Sequence, residues 1–270
     1  MRPTPEQLSI EELTVRFGGM TAVDNLSLHA PAGKITGLIG PNGAGKTTTF
    51  NACSGFVNAV HGTVRLGAAE LNPLGAASRA KRGLGRTFQR MELWGSFTVG
   101  ENVALGVECA FAAQRPWSQL VGTRQHQRQA ARSAGDAIDR CGLGEVAHRR
   151  AADLSTGQRR LVELARAIAS PFCFLMLDEP SSGLDGPETE HFGRVLTEFV
   201  KDTDVGVLLV EHDMALVGSI CSYLYVLDFG SLIFEAPTEQ VMRSEVVRAA
   251  YLGTESMGSG QPQAEVSLDV

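Results

Sequence analysis

A stretch of mostly small residues with one lysine, at positions 40–47, has the composition and spacing needed to hold a chain of phosphates. It reads Gly-Pro-Asn-Gly-Ala-Gly-Lys-Thr and fits the pattern Gly-x-x-x-x-Gly-Lys-[Ser/Thr]. Phosphates are bulky and highly charged, so they need inward-pointing backbone N–H groups and a turn that glycine permits. Lys46 can neutralise the terminal phosphates, and the Thr47 hydroxyl can bind Mg²⁺. The candidate phosphate-binding residues here are Gly40, Asn42, Gly43, Gly45, Lys46, Thr47 and Thr48.

The segments that flank this loop are the ones a phosphate-binding loop requires. Residues 34–39 are apolar enough for a buried strand, and residues 47–53 can continue as a helix whose positive dipole end faces the phosphates. The threonines at 47–49 are modest helix formers, so the helix is predicted from the motif more than from propensity. A chance glycine-rich turn is the alternative, and the strand–loop–helix order favours a nucleotide site.

Two adjacent carboxylates, Asp178 and Glu179, follow an apolar run at 173–177. A carboxylate at the end of such a strand can hold Mg²⁺ through water, and its neighbour can orient and deprotonate the attacking water. An acidic pair that merely ends a strand before Pro180 is the alternative. The phosphate loop elsewhere in the chain favours Asp178 as a magnesium ligand and Glu179 as the general base.

A second helix start with an affinity for phosphate is predicted at 154–158, where Leu-Ser-Thr-Gly-Gln precedes an amphipathic run. Small residues at a helix N-terminus attract anions. One active site cannot easily use two such ends from the same chain, so this end is expected to serve a neighbouring subunit. The alternative is an ordinary helix cap at Ser155.

The remaining pattern predicts an α/β core interrupted by a helical insert. Between about 88 and 169 strand patterns fade and helical, Ala/Arg/Gln-rich sequence takes over, most clearly at 124–141. The polar, Gly/Ser/Gln-rich tail at 254–270 is predicted to be disordered. Strands are predicted from alternation or continuous apolar runs at 8–17, 25–30, 34–39, 62–66, 173–177 and 205–210, with a hairpin over 223–234.

Charge is distributed unevenly along the chain. Its 270 residues carry a net charge of −6, yet residues 79–160 hold 14 basic and 7 acidic side chains, a net +7, which leaves −13 for the rest. A basic middle region is compatible with nucleic-acid binding, with a solvated helical face, or with proximity to an anionic membrane leaflet. All three interpretations stay open, with the helical face favoured.

Cysteine usage and hydropathy bound the cellular setting. The five cysteines are scattered without a Cys-x-x-Cys pair, so reduced and buried thiols of a cytosolic protein are expected. No run of 18 or more apolar residues is present, so the chain is not expected to span a membrane by itself. The N-terminus lacks the apolar segment of a signal peptide.

Taken in order, these motifs resemble the nucleotide-binding subunit of an ATP-binding cassette (ABC) transporter. The resemblance runs from about residue 8 to 253. It implies an α/β P-loop NTPase (RecA-like) core with an N-terminal antiparallel β-subdomain and a helical insert, as one domain at 1–253 with a helical subdomain at about 90–165. The ordered motifs are the phosphate loop at 40–47, Gln89, the signature at 154–158, Asp178-Glu179, Ser182-Gly183-Leu184-Asp185 and His212.

The same resemblance assigns roles to residues outside the phosphate loop. Phe17 matches the aromatic that stacks on adenine, although a core aromatic at a strand end is nearly as good an interpretation. Gln89 matches the glutamine that senses Mg²⁺ and the attacking water, and His212 matches the histidine that contacts the γ-phosphate. Asp185 matches an aspartate that crosses an interface between two cassettes, which would sandwich two ATP molecules head to tail.

In such a sandwich the signature residues Ser155, Gly157 and Gln158 would bind the ATP held by the other subunit. The usual family signature is Leu-Ser-Gly-Gly-Gln, and Thr156 replaces its first glycine here. Because the expected phosphate donors are retained, Thr156 puts the local geometry in question more than ATP use. The implied cofactors are ATP and Mg²⁺.

A narrower resemblance is to the ATPase subunits of branched-chain amino acid importers. It implies as partners a second ABC ATPase subunit, identical or different, integral membrane permease subunits and, indirectly, a solute-binding protein, at the cytoplasmic face of the inner membrane. Nucleic acid is not expected as a partner.

Related cassettes serve urea and lipopolysaccharide transporters. The competing interpretations are a soluble ABC ATPase that acts on ribosomes or DNA, and a cassette that binds ATP without hydrolysing it. The motifs of this resemblance lie at 17–19, 86–89, 157–160, 211–214 and 250–253.

Overall fold

The computed structural model describes residues 4–114 and 124–245. In chain order the strands β1 to β10 are Leu8–Phe17, Met20–Ala30, Ile35–Ile39, His61–Leu66, Ala69–Glu70, Leu84–Arg86, Phe174–Asp178, Gly206–Val210, Tyr223–Asp228 and Ser231–Pro237. The helices α1 to α8 are Lys46–Ser54, Ala76–Lys81, Val99–Gln114, Arg124–Arg140, Thr156–Ala169, Gly186–Thr203, Met214–Ile220 and Thr238–Arg243. The tail at 254–270 and the motif at 250–253 lie outside the described residues.

A six-stranded sheet in the order β10-β9-β3-β8-β7-β6 forms the centre of the fold. The pairs β3–β8, β3–β9, β7–β8 and β6–β7 are parallel, and β10 is added antiparallel through the hairpin with β9. Parallel strands end at the same edge, so the loops that follow β3, β6, β7 and β8 meet there. This edge is where a doubly wound sheet binds its ligands.

The two faces of this sheet contact two separate hydrophobic cores. Ile35 and Ile39 pack into the core formed with the helices, whereas Leu38 packs into the core shared with the smaller sheet. Leu209 and Leu208 of β8 divide in the same way. Successive side chains of a strand point to opposite faces, so a strand covered on both faces must be apolar at every position. This accounts for the continuous apolar runs.

The smaller sheet is antiparallel, in the order β2-β1-β4-β5. Strand β2 begins at Met20 rather than at residue 25 as predicted, because the hairpin with β1 closes tightly and Phe17 pairs with Met20. The α/β class, the antiparallel N-terminal sheet and the hairpin at 223–234 are confirmed.

Three helices of the insert, α3, α4 and α5, pack against one another. The predicted helix at 124–141 is confirmed as α4, which buries Ala130, Ala134, Ala137 and Ile138 along one stripe. The spacing of four, three and one residues places them on one helical face. The subdomain limits at about 90 and 165 stay a prediction.

Part of the basic charge in the middle region lies inside the protein. The side chains of Arg79, Arg86 and Arg160 are buried. Arg79 donates to the carbonyl oxygens of Ala52 and Cys53 at 2.6 and 2.7 Å, and so satisfies the end of α1. These three cations therefore support internal contacts and add little to any basic surface.

The cysteines agree with the expected reduced state except in one detail. Cys53, Cys141, Cys173 and Cys221 are free and buried, and burial raises the pKa of the Cys53 thiol to about 12. The expectation that every thiol is buried is wrong for Cys109, which is exposed on α3. Among the described residues, no helix combines the length and the hydrophobicity that crossing a membrane would require.

Candidate functional site

The phosphate loop joins the end of β3 to the start of α1. Gly40 has φ 150° and Gly45 has φ 98°, both outside the range that side-chain-bearing residues favour. A Cβ at Gly40 would collide with the carbonyl oxygen of Leu227, and one at Gly45 would lie 2.6 Å from the carbonyl oxygen of Ala22. Glycine is required at both positions because the loop is wedged between β2 and β9.

Lys46 lies at the first position of α1, with 7% of its surface exposed. Its Nζ donates to the carbonyl oxygens of Gly40 and Pro41 at 2.6 and 2.9 Å, so the cation is held over the loop. Burial lowers the pKa of Lys46, while the nearby Glu179 and Asp178 carboxylates raise it. A buried ammonium at the N-terminus of a helix, where the backbone N–H groups are free of helical partners, attracts a polyanion.

Asp178 ends β7 with 4% of its side chain exposed, and it forms an ion pair with Arg86. Arg86 Nη2 donates to Asp178 Oδ2 at 3.1 Å. Burial raises the pKa of Asp178, and the Arg86 guanidinium opposes that rise. The sequence indicates Arg86 only as part of a subfamily motif, so its pairing with Asp178 is a finding of the structure.

Arg86 is held by several further contacts. Its Nη1 donates to Asn51 Oδ1 and Ser54 Oγ on α1 at 2.8 and 2.6 Å. The guanidinium carbon lies 4.9 Å from the ring centroid of Phe88 and 5.6 Å from that of Phe50, distances at which a cation is attracted to an aromatic face. Arg86 therefore joins β6 to the phosphate-loop helix and to β7.

Glu179 follows Asp178 with a φ of 47°, an unusual backbone conformation for a residue with a side chain. Its Oε2 accepts a hydrogen bond from Gln89 Nε2 at 2.7 Å and lies 4.0 Å from Nδ1 of His212. The structure thus brings together the three residues predicted to be catalytic. The roles of Glu179 as base, Gln89 as sensor and His212 as phosphate contact stay predictions.

A fully buried carboxylate, Glu211, connects the loops after β7 and β8. Its Oε1 accepts from the backbone N–H of Ser181 at 2.8 Å, and its Oε2 accepts from the backbone N–H of His212 at 3.1 Å. Glu211 therefore positions the loop that carries His212. The sequence indicates this residue only within a subfamily motif, and its position directly after the apolar run of β8 was the available signal.

The signature residues form the start of α5. Ser155 Oγ accepts from the N–H of Gln158 at 3.1 Å, and Gln158 Oε1 accepts from the N–H of Ser155 at 3.2 Å, a reciprocal capping box. Thr156 occupies the first helical position, and a Cβ at Gly183 would be 3.2 Å from its methyl group. The threonine is compatible with a capped helix start. Gly157 packs against the Glu188 carboxylate.

Asp185 caps α6 within its own chain. Its Oδ1 accepts from the N–H of Glu188 at 2.8 Å, and Glu188 Oε2 accepts in return from the N–H of Asp185 at 3.2 Å. Asp185 therefore has a local stabilising role. The interface role predicted for Asp185 involves a second chain and stays a prediction.

Arg160, on the buried side of α5, touches two of the functional loops at once. Its Nη2 donates to the Gln89 carbonyl oxygen and its Nε to that of Ser182, each at 3.2 Å. Its Nη1 pairs with Glu163 at 3.0 Å, and Glu163 accepts from the N–H of Glu92 at 3.0 Å. Arg160 follows the signature in the sequence, but only the tertiary contacts show that it joins the loops of Gln89 and Ser182.

A cleft of about 560 Å³ opens over the phosphate loop, a size typical of small-ligand sites. The predicted site residues that line it are Phe17, Asn42, Gly43, Gly45, Lys46, Thr47, Thr48, Gln89 and Glu179. The predicted site residues that do not line it are Gly40, Ser155, Gly157, Gln158, Asp178, Asp185 and His212. Of these, Gly40 shapes the loop below and His212 approaches Glu179, whereas the signature residues lie at the start of α5, outside the cleft.

The residues predicted to hold Mg²⁺ are Thr47, Gln89 and Asp178. Their side chains offer hydroxyl, amide and carboxylate oxygens, the donors that Mg²⁺ prefers. Among the described residues no group of three or more His, Cys, Asp or Glu side chains is placed to hold a metal. A Mg²⁺ ion in a nucleotide site takes one or two carboxylates together with water and substrate phosphates.

Comparison with known proteins gives a consistent result. The family described as ABC transporter matches residues 23–182. The High-affinity branched-chain amino acid transport ATP-binding protein LivG of Escherichia coli (strain K12) is 37% identical over 249 residues, which is 91% of this chain and 97% of LivG. The corresponding protein BraF of Pseudomonas aeruginosa is 35% identical over 250 residues, with the same coverage of both chains.

A solved structure shares the fold. The ADP conformation of MJ1267, an ATP-binding cassette of an ABC transporter, superposes with a TM-score of 0.80 at 28% identity and covers 93% of this chain and 100% of that one. A phosphate loop wedged between strands, a carboxylate pair at the same edge of the sheet and a separate capped signature helix are thus found in a chain that matches this family over most of its length. The protein belongs to the ABC transporter family and is one of its ATP-hydrolysing cassettes.

Proposed function

We propose that this protein is the ATPase subunit of an ABC importer for branched-chain amino acids. The observation that carries the proposal is the cleft over the phosphate loop, in which Lys46, Gln89 and Glu179 converge. The proposed solute is that of relatives such as LivG and BraF. Selection of the transported solute is assigned to other subunits, because the cleft of this chain is a site for the nucleotide and not for the solute.

Within the cleft each residue has a chemical task. The Lys46 ammonium, fixed by two loop carbonyls, stabilises negative charge on the terminal phosphates. Glu179 accepts a proton from the attacking water, and Gln89, already hydrogen-bonded to that carboxylate, orients it. Thr47, Asp178 and Gln89 would hold Mg²⁺, which supplies charge neutralisation at the phosphates when bound.

The placement of the signature supports action by two cassettes. Ser155, Gly157 and Gln158 do not line the chain's own cleft, although a capped helix N-terminus is suited to phosphate. A second cassette, a copy of this chain or a related subunit, would bring its signature onto this cleft. ATP would then close the pair, and hydrolysis would release it.

The helical insert provides a surface for a permease. A groove of about 300 Å³ lies beside Phe88 and is lined by Trp94, Arg166 and Cys109 among others. It adjoins the loop that carries Gln89, whose carbonyl is held by Arg160. Contact with a membrane subunit here would place the protein at the cytoplasmic face of the inner membrane and link the partner's movement to the cleft.

Two measurements test the proposal in sequence. The purified chain with Mg²⁺ and ATP should release phosphate, and the E179Q variant should not. In the source cell, deletion of the gene should reduce uptake of labelled leucine, isoleucine and valine, and the wild-type gene but not E179Q should restore it. Phosphate release without any change in amino-acid uptake would support the ATPase activity and refute branched-chain amino acids as the solute.

Lipopolysaccharide transport is the second candidate. The Lipopolysaccharide export system ATP-binding protein LptB of Escherichia coli (strain K12) is 29% identical over 246 residues. The higher identity to LivG favours amino-acid import. An ABC ATPase that acts on nucleic acid is less well supported, because three arginines of the basic middle region are buried.

A further inference from the structure

The lining of the nucleotide cleft includes three large apolar side chains that are exposed. Phe17 is 47% exposed, Met20 is 62% exposed and Phe229 is 89% exposed, and all three line the cleft. Lys46 and Glu179 line the same cleft. The lining therefore combines apolar and charged side chains, as a ligand with a flat base and a phosphate chain requires.

Phe229 contributes almost nothing to the packing of the fold, since nearly all of its surface is exposed. It also has a φ of 42°, a conformation that costs free energy for a residue other than glycine. A bulky, exposed and strained phenylalanine is unfavourable for stability alone, and such residues concentrate at functional sites.

The turn that carries Phe229 is fixed to the phosphate loop. The N–H of Gly230 donates to the Ala44 carbonyl oxygen at 3.1 Å, and the N–H of Asp24 donates to the Gly230 carbonyl oxygen at 2.9 Å. A Cβ at Gly230 would be 2.9 Å from the carbonyl oxygen of Ala22, so the turn is closely seated on β2. The turn that carries Phe229 is thus hydrogen-bonded to the phosphate loop and to β2, and Phe229 itself lines the cleft.

We propose that Phe229 is a second aromatic contact for the adenine base, in addition to Phe17. This inference rests on the proposed function and specifies how its cleft holds the base. The apolar side chains of Phe17, Met20 and Phe229 contact the flat ring, while the phosphates bind at Lys46. Stacking of a base on an aromatic side chain changes affinity by about 5- to 150-fold.

The test uses the purified full-length chain and isothermal titration calorimetry with ATP and, separately, inorganic tripolyphosphate. The F229A variant should bind ATP about 5- to 150-fold more weakly and tripolyphosphate as tightly as the wild type. F229Y should retain ATP affinity, because the aromatic face is kept. I233A is the matched control: Ile233 is 38% exposed on the neighbouring strand and does not line the cleft, so neither ligand should be affected.

Two results would overturn the inference. F229A could bind ATP as tightly as the wild type, and if it then dimerised less, Phe229 would be an interface residue. F229A could instead lose affinity for tripolyphosphate to the same extent as for ATP, which would locate the effect in the phosphate loop. If the wild-type chain bound no ATP at all, the proposed function itself would fail, an outcome distinguishable from these two.

Discussion

Substitution of Arg86 by methionine is the sharpest test of the charge arrangement beneath the cleft. Methionine retains an apolar chain among the phenylalanine rings but removes the cation that pairs with Asp178. The two side chains are 6% and 4% exposed, so the carboxylate would be left buried without its partner. Breaking such a buried pair costs about 3–5 kcal/mol of unfolding free energy.

This loss should be visible by heat and by urea. For a protein of this size 1 kcal/mol shifts Tm by about 2–4 °C, so R86M should unfold roughly 6–20 °C below the wild type. Arg82, exposed and four residues earlier, provides the control, and R82M should change the unfolding free energy by less than about 0.5 kcal/mol.

The penalty should also depend on pH. Burial raises the pKa of Asp178 in the folded protein, and Arg86 opposes that rise. Without Arg86 the folded pKa of Asp178 rises further, so the variant is stable while the carboxyl is protonated and loses stability as pH rises through that pKa. The difference between wild type and R86M should therefore be small near pH 4 and large at pH 7–8.

The double variant R86M/D178N separates loss of charge pairing from loss of packing. The uncharged amide needs no counter-ion, so most of the lost stability should return. The interpretation would be refuted if R86M cost less than about 1 kcal/mol at pH 7, if its penalty did not change with pH, or if D178N gave no recovery.

Three further predictions concern the reaction. E179Q should bind ATP as the wild type does and lower steady-state phosphate release by at least about 100-fold; release at the wild-type rate would exclude Glu179 as the base. K46A should weaken ATP binding by about 10- to 100-fold in calorimetry, because a charge-assisted contact to phosphate is lost, and an unchanged Kd would contradict this. S155A should lower the unfolding free energy by about 0.5–2 kcal/mol through loss of the cap and slow turnover without altering ATP affinity of the isolated chain; weaker binding by the monomer would place Ser155 in the chain's own cleft instead.

The local sequence was sufficient to predict the structure of those short segments that determine their own conformation. The spacing of glycines around Lys46 specifies a loop, because only glycine can adopt φ values such as the 98° of Gly45 without strain. Continuous apolar runs specified the strands that are buried on both faces. The alternation of apolar and polar residues did not predict the strand at residues 20–24. There the hairpin pairing of Phe17 with Met20 extends β2 beyond the alternating segment.

Buried charge could not be predicted from the sequence. Arg86 and Arg160 lie in a region whose basic residues read as a solvated helical face, yet each is enclosed and bound to groups far along the chain. An arginine is charged wherever it stands, and whether its charge is solvated or buried depends on which elements pack over it. The exposure of Phe229 could not be predicted from the sequence either, since a phenylalanine in a turn can pack into the core or lie on the surface.

The sequence by itself determined the chemistry available to this protein: a phosphate loop, a carboxylate pair and a capped signature helix, each encoded within a few consecutive residues. Tertiary structure alone decided how these are combined. Parallel strands bring Gln89, Glu179 and His212 to one edge because β6, β7 and β8 are neighbours in the sheet, an order that pairing between distant segments establishes. It also places the signature outside the chain's own cleft, since the residues at the start of α5 do not line it.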